Sequence, residues 1–423
     1  MSSASTPAKD FRVAIVGGGM CGLACAVGLA HRGIRADVFE AAPKFDEVGA
    51  GVGLGSNALR ALKGLGVLDA VLARSDEAQQ TARRMLYLSG PGAHEQVYDY
   101  ETSSVFTAAD NGIGIYRPAF LSAVLPLLPD SSATHFNKRC TSISTTASGS
   151  QCIHFADGTT HEADLVIGAD GIKSISRNAL VDPAKRPLQF TNTVAYRGLV
   201  PMDTLRQEGV TSAVDTRLCC FIGIDKVNIA AFVTDNSVPV GSVKVTGPWT
   251  EVVPQQELLD SFDGWGHDVQ AMLKHMKSPG KWCIHALTPL ETFVRGKIAL
   301  VGDAAHAMTP HLGSGVGQGF EDVFVLCELL GHSSTNLSNL EAVLRAYDAI
   351  RQPRANMVLK ESFRAGVIYE NFGKAGYDTG ADIEGHLAGI WEPIWRHNLD
   401  GDVAAAIASL QEQGSFPAVT TRF

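Results

Sequence analysis

Short apolar runs alternate along this chain with segments whose apolar residues return every three or four positions. In "FRVAIVGGGMCGLACAVGLAHRGIRADVFE" the run Val13 to Val16 predicts a buried strand. Glycines follow, then a helix with apolar residues at helical spacing, then a second strand from Ala36 to Phe39 that ends in Glu40. The segment "ADLVIGADGIKSISR" repeats the strand-then-glycine pattern, with a strand over Asp164 to Ile167 and a turn at Gly168, Asp170 and Gly171. Further on, "LCCFIGI" and "VNIAAFV" both read as strands, and an Asp225-Lys226 turn joins them if they pair as a hairpin. The polar, glycine-rich "FGKAGYDTGADIEG", Phe372 to Gly385, predicts a loop ahead of a terminal helical piece containing Trp391 and Trp395.

Composition narrows the class. With 423 residues, 45% of them hydrophobic, the chain can bury a large core shared by two closely joined domains. Its 35 Lys+Arg against 44 Asp+Glu, a net charge of -9 without a basic block, argues against nucleic-acid binding. Eight cysteines without a Cys-x-x-Cys pair fit reduced, buried thiols, and no metal site is expected. No run is apolar enough for a signal peptide core or a bilayer span, so a cytoplasmic protein without membrane partners is expected.

The first glycine turn carries chemistry. Gly17, Gly19 and Gly22 satisfy G-x-G-x-x-G between strand and helix, which permits a tight turn and close approach of a pyrophosphate. The helix N-terminus then faces the phosphates, and Glu40 at the end of the second strand is placed to accept from ribose hydroxyls. The late stretch "GDAAHAMTPHLGSGVGQGFED", Gly302 to Asp322, packs more glycines, Gly313, Gly315 and Gly317, against two histidines. A helix starting near Gly317 would aim its positive end at the electron-accepting edge of a flat ring.

Three segments in this order, "GGGMCG", "GADGIKSISR" and "VGDAAHAMTPHLGSGVGQGFED", resemble the class A, FAD-dependent aromatic monooxygenases, and most of all their salicylate hydroxylase branch. The resemblance extends through "AYRGLV", "FDGWG", "AYDAIRQPRA" and the paired-tryptophan tail "IWEPIWRHNLDGD". It implies an α/β fold: a discontinuous Rossmann-like FAD-binding domain, a smaller β-sheet substrate domain of the p-hydroxybenzoate hydroxylase type, and C-terminal helices. The expected boundaries are 1–82, 103–187 and 284–369 for the FAD domain, 83–102 and 188–283 for the substrate domain, and 370–423 for the extension.

The same resemblance implies roles. Gly17, Gly19, Gly22 and Glu40 would hold the ADP half of FAD, Arg117 would reach its phosphates, and Asp303 would bond the ribityl chain. The backbone from Pro310 to Gly317 would border the ring, and Asp170, with Ser174 and Arg177, is associated with both the flavin and the nicotinamide nucleotide. NADH or NADPH and O2 would be co-substrates. No second complete Rossmann unit is visible, so the nicotinamide donor would bind transiently. The partner is a small aromatic substrate, and the chain would act as a monomer or homodimer. The reaction implied is hydroxylation of a phenolic acid through a flavin C4a-hydroperoxide, with salicylate and its decarboxylation to catechol first in line and other phenols or aminobenzoates as alternatives.

Candidate catalytic groups follow. His311, beside Pro310, suits removal of a phenolic proton because an unperturbed histidine titrates near neutrality. His306 reads as a hydrogen-bonded structural histidine. Arg84, or its neighbour Arg83, could meet a substrate carboxylate, although both could equally be solvated; alternation lets only one face inward. Tyr196, with Arg197, matches the family on a strand entering the substrate domain, a structural tyrosine being the alternative. One departure stands out. Between Lys226 and Val227 about a dozen residues of the family pattern, about two short strands' worth, are missing, which predicts a shorter sheet or an impaired substrate site.

Overall fold

The computed structural model describes residues 9–45, 51–74, 85–100, 110–129, 134–185, 187–214, 218–223, 226–228, 231–235 and 237–418. The strand Val13–Val16 lies inside a six-stranded sheet, parallel to Ala36–Phe39 on one side and to Leu165–Gly168 on the other. Val13 to Val16 are all buried, so both faces of this strand are covered, as a continuous apolar run requires. Leu165–Gly168 is parallel in turn to Ile298–Leu300. The glycine turns that follow Val16, Gly168 and Leu300 therefore emerge at the same, carboxyl-terminal edge of the sheet. Three segments far apart in sequence are brought together by parallel pairing alone.

A second sheet of eight strands draws on Met85–Ser89 and Gln96–Asp99 and on strands between Leu188 and Leu287. Its two faces bury different partners. Leu86, Leu88, Tyr196, Phe221 and Ala231 pack with Leu258, Phe262, Val269 and Leu273 of the helices Gln255–Ser261 and His267–His275 and the turn between them. Tyr87, Ala195, Cys220 and Phe232 pack on the other face with Leu312 and with Val358, Ala365, Ile368 and Tyr369 of the long helix Leu340–Glu370. The two-residue strand period sorts neighbours such as Ala195 and Tyr196 to opposite sides.

The shortened region closes without breaking the sheet. Leu218–Gly223 pairs antiparallel with Lys226–Asn228, which pairs antiparallel with Ala231–Thr234, which joins Leu188–Arg197. The stretch "VNIAAFV" is therefore divided between two short strands instead of forming one.

Two further expectations shift. The strand expected from Asp164 runs from Leu165 to Gly168, because the Asp164 carboxylate is engaged by the Arg12 backbone N–H and guanidinium. The loop expected over Phe372 to Gly385 ends at Thr379, where the helix Gly380–Leu387 begins. Thr379 accepts from the Asp382 N–H and Asp382 accepts from the Thr379 N–H, a reciprocal cap that starts a helix despite the glycines. No helix among the described residues is long and apolar enough to cross a membrane.

Candidate functional site

At the N-terminal turn, Gly17 has φ +106°, and a Cβ there would lie 2.4 Å from the Ala169 carbonyl oxygen. A Cβ on Gly22 would lie 2.0 Å from the Gly17 oxygen. Both glycines are therefore needed so that helix, strand and the mid-chain turn can touch. Gly19 differs: a Cβ there would meet nothing within 4 Å, so its free side opens on the cleft. Glu40 accepts from the Gly18 N–H at 2.8 Å and from the Ala42 N–H at 2.7 Å. One N–H per oxygen leaves the carboxylate acceptor capacity for ribose hydroxyls. Arg117 opens the helix Arg117–Val124 and lies within electrostatic reach of Cys21, beside Gly22, and of Arg197.

The mid-chain motif is tied into itself and into the late segment. Asp170 accepts from the Ser174 hydroxyl at 2.6 Å and from the Ile175 and Ser176 N–H groups at 2.8 and 3.0 Å. Ser174 Oγ accepts from the Arg177 N–H. The buried Arg177 guanidinium donates to the carbonyls of Ile172 and Ala304 at 2.8 and 3.0 Å. Asp170 thus sets the shape of the turn, and Arg177 fastens it to the residues after Asp303.

In the late segment Asp303 begins the short helix Asp303–His306 with its side chain exposed to the cleft. His306 is fully buried, and its Nε2 lies 2.5 Å from Asp322 Oδ2. Asp322 also accepts from the Gly302 N–H at 2.9 Å and from Arg351 Nε at 2.9 Å. Arg351 continues to Glu321 at 2.7 Å, and Glu321 accepts from Arg354 and from Asn57. Burial alone would raise the Glu321 pKa, yet the charges of Arg351 and Arg354 hold it down at about 2. Sequence reading gave these four charged residues no role, although "FED" and "RQPRA" lie within the quoted motifs. Arg351 and Arg354, three residues apart, share one side of a helix, and that spacing is the signal that could have found them.

His311 sits in the 3-10 turn Pro310–Leu312, and the left-handed Gly313 (φ +61°) ends that turn. A Cβ on Gly313 would meet nothing within 4 Å, and one on Gly315 only Met308 at 3.6 Å. The helix begins at Gly315, two residues before the expected Gly317. The His311 ring is 9% exposed, with its centroid 5.3 Å from that of Phe232 and 6.1 Å from that of Tyr369. Gly366 makes room for it, since a Cβ there would be 2.7 Å from the ring. Neither ring nitrogen has a hydrogen-bond partner among the described residues. Burial pushes its pKa down to about 4, below the near-neutral value expected of an unperturbed histidine, so the imidazole is neutral at neutral pH and a weaker base than a free one.

Of the other two candidate catalytic residues only Tyr196 is described, and it is not brought to this place. Tyr196 is on the opposite face of the eight-stranded sheet from Phe232 and donates to Glu257 at 2.8 Å, which also accepts from Lys281. The period of two that seats Ala195 toward His311 turns Tyr196 away, so the structural alternative describes it. Arg84, like Arg83, lies outside the described residues. Phe232, Tyr369 and Gly366, which enclose His311, were missed, since only tertiary contact links them to it.

The arrangement suits FAD: three glycines, Gly19, Gly313 and Gly315, leave backbone open, Asp303 is exposed beside them, and a buried imidazole has no hydrogen-bond partner among the described residues. Among the described residues no cluster of His, Cys, Asp or Glu gathers to hold a metal ion. Fold and site together define a flavin-dependent monooxygenase. A family model described as an FAD binding domain matches residues 10–362, and the chain belongs to that family, with FAD as its cofactor. It is 36% identical over 422 residues to a salicylate hydroxylase of Pseudomonas putida, covering 94% of this chain and 95% of that one. A second Pseudomonas putida salicylate hydroxylase is 37% identical, with 96% of each chain covered. The solved structure of a salicylate hydroxylase substrate complex superposes with a TM-score of 0.80 at 30% identity, covering 99% of this chain and all of that one.

Proposed function

We propose that this protein is an NAD(P)H-dependent hydroxylase of a small phenolic acid, with salicylate converted to catechol as its reaction. The observation that carries this reading is His311, a neutral, buried imidazole whose two nitrogens have no protein partner among the described residues and which lies two residues before Gly313 in the glycine-rich late segment. The similarity to salicylate hydroxylases over nearly the whole chain supports the choice of substrate. When bound, FAD, reduced by a nicotinamide nucleotide, supplies the activation of O2 to an electrophilic oxygen. The chain's task is to present a ring nucleophilic enough to accept it.

Gly17, Gly19, Gly22 and Glu40 would hold the adenosine half, Arg117 would meet the phosphates, and Asp303 would hold the ribityl chain. The N-terminus of the Gly315–Gly331 helix would favour negative charge on the reduced ring. His311 would take the phenolic proton at a ring nitrogen, which raises electron density at the ring carbon that bears the carboxylate. Oxygen transfer to that carbon and loss of its carboxylate close the balance. Salicylate, O2, one hydride and two protons become catechol, carbon dioxide and water. Phe232 and Tyr369 pack against the imidazole and help to keep it neutral, with a nitrogen lone pair available to the phenolic proton.

The test is direct. Purified protein is expected to be yellow, to oxidise NADH or NADPH faster when salicylate is added, and to release catechol and carbon dioxide in equal amounts. Stimulation by other phenols but not by salicylate would move the substrate within the class. Bound FAD with no stimulation by any phenolic acid would overturn the hydroxylase reading.

A further inference from the structure

Asp322 touches neither the cleft nor His311, yet it reaches both sides of the Gly302–Asp303 turn. Its Oδ2 accepts from the Gly302 N–H and lies against His306 Nε2, so both ends of the short Asp303–His306 helix hang on one carboxylate oxygen. Its other oxygen is fixed by Arg351 Nε, and Arg351 also donates to Glu321 and to the Gln318 side chain at 3.0 Å. All of these side chains are fully buried.

Gly302 holds a backbone conformation that calls for glycine. It has φ +62° and ψ -142°, a region that side-chain-bearing residues avoid. A Cβ there would lie 3.0 Å from Cys21 Sγ of the first helix. The backbone at Gly319 is equally tight, since a Cβ there would lie 2.5 Å from the same sulfur. The N-terminal helix, the Gly302 turn and the Gly315–Gly331 helix meet here without space for adjustment, and the N–H of the strained glycine is committed to Asp322.

We propose that Asp322, held by Arg351, is the positioning residue that aims Asp303 at the flavin half of FAD. This rests on the assignment of Asp303 as the ribityl contact. Asp322 would act through the turn, where its hydrogen bonds go to Gly302, His306 and Arg351, and not through Gly17, Gly19, Gly22 and Glu40, the residues assigned to the adenosine half. An Asn there keeps one acceptor oxygen and so cannot serve Arg351 on one side and the Gly302 N–H and His306 on the other, and Asp303 loses its direction while the N-terminal fingerprint keeps its own hydrogen bonds.

A double-mutant cycle with two ligands tests this on the full chain. FAD and ADP are titrated into parent, Asp322→Asn, Asp303→Ala and the double variant, each freed of flavin, and the melting temperature of each apoprotein is recorded. Asp322→Asn is expected to weaken FAD by about tenfold or more while ADP changes by less than about twofold, and to add little further loss in the Asp303→Ala background. Equal weakening of FAD and ADP, or the same factor with and without Asp303, would overturn the proposal and leave Asp322 a general support of the fold. If Asp322→Asn does not yield folded protein, Arg351→Lys is measured against the same outcomes: it keeps the charge but replaces the planar guanidinium, which meets Asp322 through Nε and Glu321 through a terminal nitrogen, by a single ammonium. A parent chain that binds ADP but not FAD would instead refute the flavin reading itself.

Discussion

His306 and His311 are five residues apart and both buried, but one nitrogen of His306 is held by a carboxylate and neither nitrogen of His311 has a partner among the described residues. His306 is locked to Asp322 in a network where Glu321, Arg351 and Arg354 answer one another, whereas His311 is surrounded by Phe232, Tyr369 and the bare backbone of Gly366. A buried polar group that has found its partners contributes rigidity, and one without them keeps its capacity for a ligand. Burial alone separates neither histidine from the other. The partner list does.

The strongest way to break this comparison is to remove a charge from the satisfied side. Arg351→Met leaves Asp322 and Glu321 buried opposite fewer cations, and a loss of about 3–5 kcal/mol in urea unfolding, or no folded protein, is expected. A change near zero would mean that the network is relaxed by water and is not the rigid frame described here.

The unsatisfied side should show in pH dependence. His311 in the folded chain titrates at about 4 against 6.5 when free. Above pH 6.5 both states are neutral and the group contributes nothing to the slope. As pH falls from 6.5 toward 4 the unfolded chain takes up the proton first, so stability is lost across that window, by up to about 3 kcal/mol. His311→Phe removes this term, and the parent's stability relative to the variant should therefore fall between pH 6.5 and 4. Parallel profiles would show that the imidazole is solvated.

The smallest effect is expected at Tyr196. Tyr196→Phe loses one hydrogen bond to Glu257 and should cost about 1 kcal/mol of stability. Hydroxylation should be unchanged, because the ring faces the Gln255–Ser261 helix and not the cleft. A large fall in turnover without loss of stability would restore it to the substrate side.

Much of the cofactor side was legible in the sequence because backbone geometry leaves marks that spacing can show. Gly17 and Gly22 stand where no side chain fits, and the apolar runs at Val13 and Leu165 are as uninterrupted as a doubly covered parallel strand demands. The split of "VNIAAFV" was not legible, since seven residues of uniform strand character carry no mark of a reversal in the middle. The helix after Thr379 was masked by glycines that suggested a loop, although Thr379 and Asp382 had the spacing of a cap. Tyr196 looked promising on family likeness, and its face of the sheet is decided by register, which the sequence does not state. Phe232, Gly366 and Tyr369 meet His311 only because the long helix crosses the second sheet at that point.

The central claim is that His311 acts on the substrate and not on the fold or the cofactor. Its most direct test is catechol formed per NAD(P)H consumed by FAD-loaded His311→Ala with salicylate. The account predicts bound FAD at the parent's level, continued nicotinamide oxidation, and catechol formation slowed by about a hundredfold or more. Catechol formed at the parent's rate by the FAD-loaded variant would contradict it.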